Sequence, residues 1–432
     1  MPANFIETVI GRSKTLTAAA ATWPLLLGMG MLMLGAGLQG TLISVRATIE
    51  GFATFVTGVV MSCYYVGYMG GSIGTPRLVQ RVGHIRVFAA LTAVASVTIL
   101  LQAVFVDPVT WAVLRFVSGF CFAGIYVVAE SWLNDHASNQ NRGSLLAVYM
   151  LVLYVGLGGG QFLLNVADPL SPRLFIVISV MISLAVVPMT LSVQRAPQYD
   201  VPRTIGYREL FLASPLGVTG VVISGVVTSS VFSMGPVYAQ SIGLDSSDIA
   251  AFMGISILAA VLTQLPIGRW SDRVDRRSVL ATICLVGCVT AILASLFGHE
   301  SKPVLFLLAA CFGGIALTLY SLALSHINDQ LQPSQMVGAS GTVVLLNGAG
   351  ATLGPLLVAV LMQSFGASAY FAYLAALVGA LGLYGMYRKS RRAPVPSEQK
   401  GPFVSAQPQA VSGQMVAEIA LHSAPAPQDD RA

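Results

Sequence analysis

Ten residues near the middle of the chain, GRWSDRVDRR (Gly268–Arg277), hold six charges: Arg269, Asp272, Arg273, Asp275, Arg276 and Arg277. A carboxylate such as Asp272 suits the unpaired amides of a helix N-terminus, and guanidinium groups bind carboxylates and terminal carbonyls. Only three other ionisable residues stand within or at the edge of apolar stretches: Arg115, Glu130 and His326. A carboxyl near a water boundary and an imidazole are residue types that exchange protons near neutral pH. Arg115 keeps its charge everywhere and must face a cavity, a hydrogen-bond network or carbonyls. No nucleophile elbow, dinucleotide fingerprint or metal-ligand cluster accompanies them, and the glycine-rich GLGGGQ (156–161) lacks the lysine of a P-loop. Cys284 and Cys288 share a helix face without further ligands. The chemistry indicated is the handling of protons and charge rather than covalent catalysis. The chain is not expected to be an enzyme, and no cofactor or metal is expected.

The elements that position these residues follow from composition. The chain is 55% hydrophobic and 9% charged, with a mean hydropathy of +0.76. So much apolar surface in 432 residues needs lipid to cover it. It comes in stretches of about twenty residues, the length that crosses a hydrocarbon core of about 30 Å. Twelve helical spans are expected near 22–44, 52–73, 87–106, 108–133, 144–166, 171–192, 211–236, 249–267, 278–297, 303–325, 337–363 and 367–387. They are too long for barrel strands. The first is expected to be an uncleaved helix, because its small residues precede the apolar run.

Charge sets the orientation. Of 23 Lys and Arg, Arg115 falls inside a span, and Arg46, Arg173 and Lys302 lie on the face of the odd-to-even connections. The other 19 lie at the termini and in the even-to-odd connections, which are therefore expected to be cytoplasmic, with both chain ends inside. The net charge of +5 follows from this asymmetry and needs no nucleic-acid partner. The five cysteines all fall in spans, where they act as small apolar residues.

The chain also repeats itself. Asn134-Asp135 after the fourth span and Asn328-Asp329 after the tenth are 194 residues apart, and Gln80-Arg81 aligns with Asp272-Arg273 at 192. Two six-helix halves are expected, at 22–193 and 211–387, after a segment 1–21 and joined by a polar linker, 194–210. The tail, 388–432, has six prolines and little apolar periodicity; it is expected to be disordered.

Twelve spans in two halves, with basic connections after spans 2 and 8, resemble the major facilitator superfamily over about 20–390. The superfamily's loop motif, Gly-x-x-x-Asp-Arg/Lys-x-Gly-Arg/Lys-Arg/Lys, is matched by Gly268, Asp272, Arg273, Arg276 and Arg277, with Asp275 where glycine is expected. The first copy keeps Arg81 and Gly83 but has Pro76 and Gln80. Arg115 and Gly119 resemble the superfamily's Arg-x-x-x-Gly motif in the fourth helix, and the fifth lacks the Gly-Pro of the antiporter signature. The strings ESWLND, RVGHIRVF and GLQGTL are similar to a mostly uncharacterised bacterial branch. The resemblance implies an all-α integral membrane protein that moves a solute by alternating access. It also implies that Asp272 docks on the start of helix 5, near Gly143 and Ser144, when the cavity opens outward. Gln80 cannot supply charge to the matching clasp on helix 11.

In such a fold Gln39, Arg115, Gln161, Asn165, Gln264 and Asn347 are candidates for the substrate cavity, and Glu130 and His326 for proton coupling. The gating candidates are Gln80, Arg81, Gly83, Gly268, Asp272, Arg273, Arg276 and Arg277. The expectation is a monomeric secondary transporter in the inner membrane, taking a neutral or weakly charged small organic solute and coupled to protons, with the lipid bilayer as its other partner. The alternatives are a uniporter, or a non-transporting sensor or assembly protein on the same fold.

Overall fold

The computed structural model describes residues 22–138, 141–191, 205–298 and 300–391, together with 400, 401, 403 and 405–407. Twelve long helices carry the described chain: α1 (Trp23–Ile49), α2 (Thr54–Val82), α3 (His84–Val104), α4 (Pro108–Asp135), α5 (Arg142–Phe162), α6 (Arg173–Thr190), α7 (Pro215–Ser241), α8 (Ser246–Arg273), α9 (Arg276–Phe297), α10 (Lys302–Asn328), α11 (Pro333–Phe365) and α12 (Ala369–Arg391). Eleven are long and apolar enough to cross a membrane; α2 is the less apolar exception, carrying Tyr64, Tyr65 and Tyr68 among glycines. A 3-10 turn, Leu163–Val166, extends α5, and a short helix, Tyr207–Ala213, precedes α7.

Local chemistry sets the ends. Asp107 caps α4 by accepting from the Thr110 amide at 2.8 Å, and Asp245 caps α8 through Asp248 in the same way. The Thr110 amide also holds the Asp107 carboxyl below its ordinary range. Prolines stand in the first turns of α1, α4, α7 and α10, where no amide partner is lost. Several helices outrun the expected spans. In particular, α2 continues through Pro76 to Val82, and α8 through Pro266 to Arg273. The charged stretch is therefore mostly helix end rather than loop.

Pairs of helices meet through backbone, and the meetings repeat at the period seen in sequence. A Cβ on Gly119 of α4 would fall 1.9 Å from the Tyr64 carbonyl of α2; one on Gly313 of α10 would fall 2.4 Å from the Ser256 carbonyl of α8. Gly119 and Gly313 are 194 residues apart, and Tyr64 and Ser256 are 192 apart. Gly156 and Gly160 on α5 against α1 have counterparts at Gly350 and Gly354 on α11 against α7. Small residues that admit a neighbouring backbone are how helices associate in lipid, where no hydrophobic force acts between them. Large apolar side chains face outward, such as Val97, Leu262 and Leu383, as a lipid-covered surface requires.

The closest of these approaches is at Gly67, where a Cβ would lie 1.8 Å from the Phe116 carbonyl. Gly67→Leu is expected to destabilise the protein by about 1–3 kcal/mol or more, read as a lowered melting temperature of the detergent-purified chain. Gly206→Ala, with nothing within 4 Å of its Cβ, should leave the melting temperature unchanged.

Candidate functional site

The basic connections sit on one face of the bundle, called here the basic face, with the described chain ends. Between the ends of α8 and α9 the chain makes a two-residue link, Val274-Asp275. Asp275 stands where the motif has glycine, and its backbone keeps a negative φ of −56° while its carboxylate accepts from the Arg277 amide at 3.1 Å, capping α9. In the first half Gly83 makes the turn at φ 88°, a conformation that favours glycine. The departure at Asp275 is thus a different solution to the same turn. Burial alone would raise the Asp275 carboxyl, but its bonds to Arg277 prevail and hold it below its usual range.

Arg276 does the joining. Its guanidinium, 2% exposed, reaches Asp329 at the end of α10 at 2.6 Å and Asp272 at 3.3 Å, and bonds the Ser271 hydroxyl. Burial pushes the Asp329 carboxyl above its ordinary range, with Arg276 pulling against it. Position 276 corresponds to His84 in the first half and Asp329 to Asp135; His84 lies 2.9 Å from the Ser131 hydroxyl. The sequence marked Asn328-Asp329 only as a landmark of repetition, and no spacing there indicated its pairing with Arg276. Arg273 lies in the last turn of α8. Arg81 is exposed in the last turn of α2, and Gln80 precedes it.

Asp272 does not reach Gly143 or Ser144. Its carboxylate accepts from Arg276 and from the Phe403 amide at 2.8 Å. A cleft of ≈ 520 Å³ lies between α5 and α8, lined by Gly143, Met150 and Tyr154 on one side and by Gln264, Gly268 and Asp272 on the other. Phe403 and Ser405 reach into it. Ser405 donates to Gln264, the Ala406 amide donates to the Ser321 hydroxyl of α10 at 3.0 Å, and Arg276 donates to the Gly401 carbonyl. These few described tail residues thus bond α8, α9 and α10. The tail's prolines and mixed charge give no packing signal, because backbone groups make most of these bonds. The linker 194–204 and tail residues 392–399 and 408–432 lie outside the described residues.

Away from the basic face the two halves touch. The Ser44 hydroxyl of α1 donates to the Ser233 carbonyl of α7 at 2.7 Å, and the Phe55 amide of α2 donates to Gln363 of α11 at 3.0 Å. Beneath these contacts a pocket of ≈ 40 Å³ brings together Gln39, Arg115 and Gln161, with Thr41, Tyr64, Tyr65 and Ser233. Gln39 donates to Ser118 at 3.2 Å; Gln161 donates to the Gly37 carbonyl at 3.0 Å and accepts from Thr41. The Arg115 guanidinium lies 4.4 Å from the centre of the Tyr64 ring, a cation–π arrangement. The glycine of the Arg-x-x-x-Gly motif, Gly119, lets the Tyr64 backbone approach closely enough for that ring to sit there.

The remaining candidates separate. Glu130 on α4 is 6% exposed, and Tyr68, Tyr126, Tyr149 and Tyr320 lie within electrostatic reach of it; Tyr320 belongs to the opposite half. His326 is not with Glu130: it lines a small pocket on the basic face with Ser214, Arg277 and Arg388. Asn165 is exposed in the 3-10 turn after α5 and lies outside both cavities. Gln264 donates to the Tyr154 hydroxyl at 2.6 Å, joining α8 to α5. Asn347 of α11 bonds the Val221 carbonyl and Ser224 hydroxyl of α7 at 3.0 and 3.1 Å. Among the described residues no cluster of His, Cys, Asp or Glu could hold a metal.

The sequence model of the Major Facilitator Superfamily matches residues 25–260 and 217–423. An uncharacterized MFS-type transporter of Enterobacter sp. (strain 638) is 29% identical over 352 residues, covering 80% of this chain and 90% of its own. The uncharacterized MFS-type transporter YcaD of an Escherichia coli strain is 31% identical over 353 residues, with the same coverage. Among solved structures, the nucleoside transporter NupG aligns with a TM-score of 0.69 at 15% identity, over 85% of this chain and 98% of its own. A bacterial homolog of the human lysosomal transporter Spinster, inward-facing and unoccupied, aligns with a TM-score of 0.64 at 13% identity, over 94% and 99%.

The Arg276–Asp329 pair generates a measurable expectation. Arg276→Met strands a buried carboxylate and should cost about 3–5 kcal/mol, whereas Arg276→Met with Asp329→Leu should recover most of the loss. Thermal unfolding of the three purified proteins checks the order.

Proposed function

The chain belongs to the major facilitator superfamily and is a membrane transporter, and we propose that it is a proton-coupled secondary transporter that moves a small organic solute by alternating access. The observation that carries this reading is the difference between the two ends of the bundle. The halves are in contact through α1–α7 and α2–α11 away from the basic face, and α5 and α8 are parted by the cleft at that face. The positive-inside rule makes the basic face cytoplasmic and both termini internal, so the arrangement corresponds to an inward-facing state. Rocking of the halves about the pocket that holds Gln39, Arg115 and Gln161 would close the cleft and part the opposite ends.

Glu130 is the proton-carrying group in this scheme. It is a buried carboxyl on α4 with tyrosines of both halves around it, so a change in its charge acts on both sides of the interface. Intramembrane carboxyls are costly and mark ion pathways. His326 is given no part, since it shares its pocket with Arg277 and Arg388.

The test is flux in proteoliposomes of the purified chain, with an imposed pH gradient, an internal pH dye and pools of sugars, amino acids, organic cations and organic monoanions. Solute-dependent proton movement is expected, falling to background in Glu130→Gln. Solute flux that persists without proton movement would make the protein a uniporter. A ligand that binds without any flux would make it a sensor.

A further inference from the structure

Arg115 carries a full charge about 10 Å inside the α4 N-terminus, by helical rise, yet the described chain gives it no anion. The groups acting on it are Tyr64, Tyr65 and Cys63, none of them an acid at neutral pH. Its Nε is buried without a hydrogen-bond partner, and the residue is 4% exposed. A buried unpaired guanidinium is among the most expensive arrangements in a membrane protein. The aromatic face of Tyr64 offsets part of that cost but leaves the hydrogen-bond donors free. They border the ≈ 40 Å³ pocket, which is also lined by the polar side chains of Gln39, Tyr65 and Ser233.

We propose that this pocket is the subsite for one carboxylate of the solute, which makes the cargo a monocarboxylate. A planar guanidinium pairs with a carboxylate through two parallel N–H···O bonds, and Gln39 and Tyr65 line the same pocket. The lone cation sets the charge at one: a dianion would leave a second charge buried without a partner. This rests on the transporter reading, and it sharpens it. A monoanion moved with one proton on Glu130 carries no net charge, so transport would be indifferent to membrane potential.

Binding separates this inference from the coupling scheme. Thermal unfolding of the full-length purified chain is measured in acetate, benzoate, benzamide and chloride at equal concentration. Acetate and benzoate are expected to raise the melting temperature of the native chain and of Glu130→Gln, and benzamide and chloride are not. Arg115→Gln should weaken the carboxylate response at least about tenfold, equivalent to 1.4 kcal/mol. Should that variant not fold, Tyr65→Phe and Gln39→Leu carry the readout, each with a weakened response. No response to either carboxylate, or an equal response in the Arg115→Gln chain, overturns the subsite. An equal, Arg115-dependent response to chloride makes it an inorganic-anion site and overturns the cargo class. Proton movement with an uncharged solute would sink the carboxylate and leave the transporter standing.

Independently, we infer that the described tail residues 400, 401, 403 and 405–407 form a plug in the cleft, one that must leave before α5 and α8 can close. The Phe403 ring packs on Gly268 so closely that a Cβ there would fall 2.3 Å from it. Asp272 and Asp329 accept from the Phe403 and Gly401 amides at 2.8 and 3.2 Å. Lys400 donates to the Val274 carbonyl at 3.0 Å, and Ser321 to the Ala406 carbonyl at 2.9 Å. In a chain whose five native cysteines are replaced, Gln264→Cys with Ser405→Cys should cross-link on oxidation. Gln264→Cys alone should react several-fold faster with a polar maleimide when the chain ends at Gln399, or when Phe403→Ala is present. An absent cross-link, or labelling unchanged by both alterations, overturns the plug.

Discussion

The constraint on which the rest depends is the cost of removing a charge from water. In a chain with 55% apolar residues and 9% charged ones, lipid admits helices whose backbone groups are paired internally and leaves charge to the ends. The crowding of Arg269 to Arg277 is one result: charges that cannot lie along α8 or α9 collect where the two meet. Because the link is only Val274-Asp275, the charges are brought to bear on one another. Arg276 lies 2% exposed between Asp272 and Asp329, tying the ends of α8, α9 and α10. The carboxylates satisfy the arginine, and the arginine permits their burial.

The same constraint gives meaning to how the halves have diverged. Their backbones repeat: Gly119 on Tyr64 corresponds to Gly313 on Ser256, so each half packs its second and fourth helices by one device. Their polar side chains do not repeat. Position 115 is arginine and its counterpart, 309, is alanine; position 64 is tyrosine and its counterpart, 256, is serine. At the basic face the strong pair, Arg276–Asp329, belongs to the second half, where the first has His84 and Asp135. One half thus holds the intramembrane cation and carboxyl, Arg115 and Glu130. The other holds the principal ion-pair cluster at the surface.

What the sequence disclosed followed the same division. Hydropathy was enough for the all-helical membrane fold, with eleven helices apolar enough to span, because it depends on residue class. Gln39, Arg115 and Gln161 were legible as polar groups in apolar spans, and they do share a pocket. Asn165 was not, because the helix it was assigned to ends as a 3-10 turn that exposes it. His326 shows its type in the sequence but not its neighbours: it lines a small pocket with Arg277 and Arg388. The cation–π contact of Arg115 depends on a backbone approach between α2 and α4 that periodicity does not encode. The seat of Gly401, Phe403 and Ala406 depends on backbone amides and carbonyls, which every sequence supplies equally.

Asp272 joins these threads. A helix N-terminus and an extended peptide offer a carboxylate the same thing, unpaired backbone N–H groups. In this structure Asp272 takes the amide of Phe403, and the N-terminal turn of α5 stands across the cleft with Gly143 lining its far wall. The carboxylate lies in only one place, so a bond to α5 would be made at the expense of the bond to the tail. The exchange is between bonds of one kind, each net worth about 1.5–3 kcal/mol for an amide on a charged acceptor. A contact that holds one state of a gate strongly would trap it; a carboxylate held by a tail amide and by Arg276 ties the open cleft to the position of that tail.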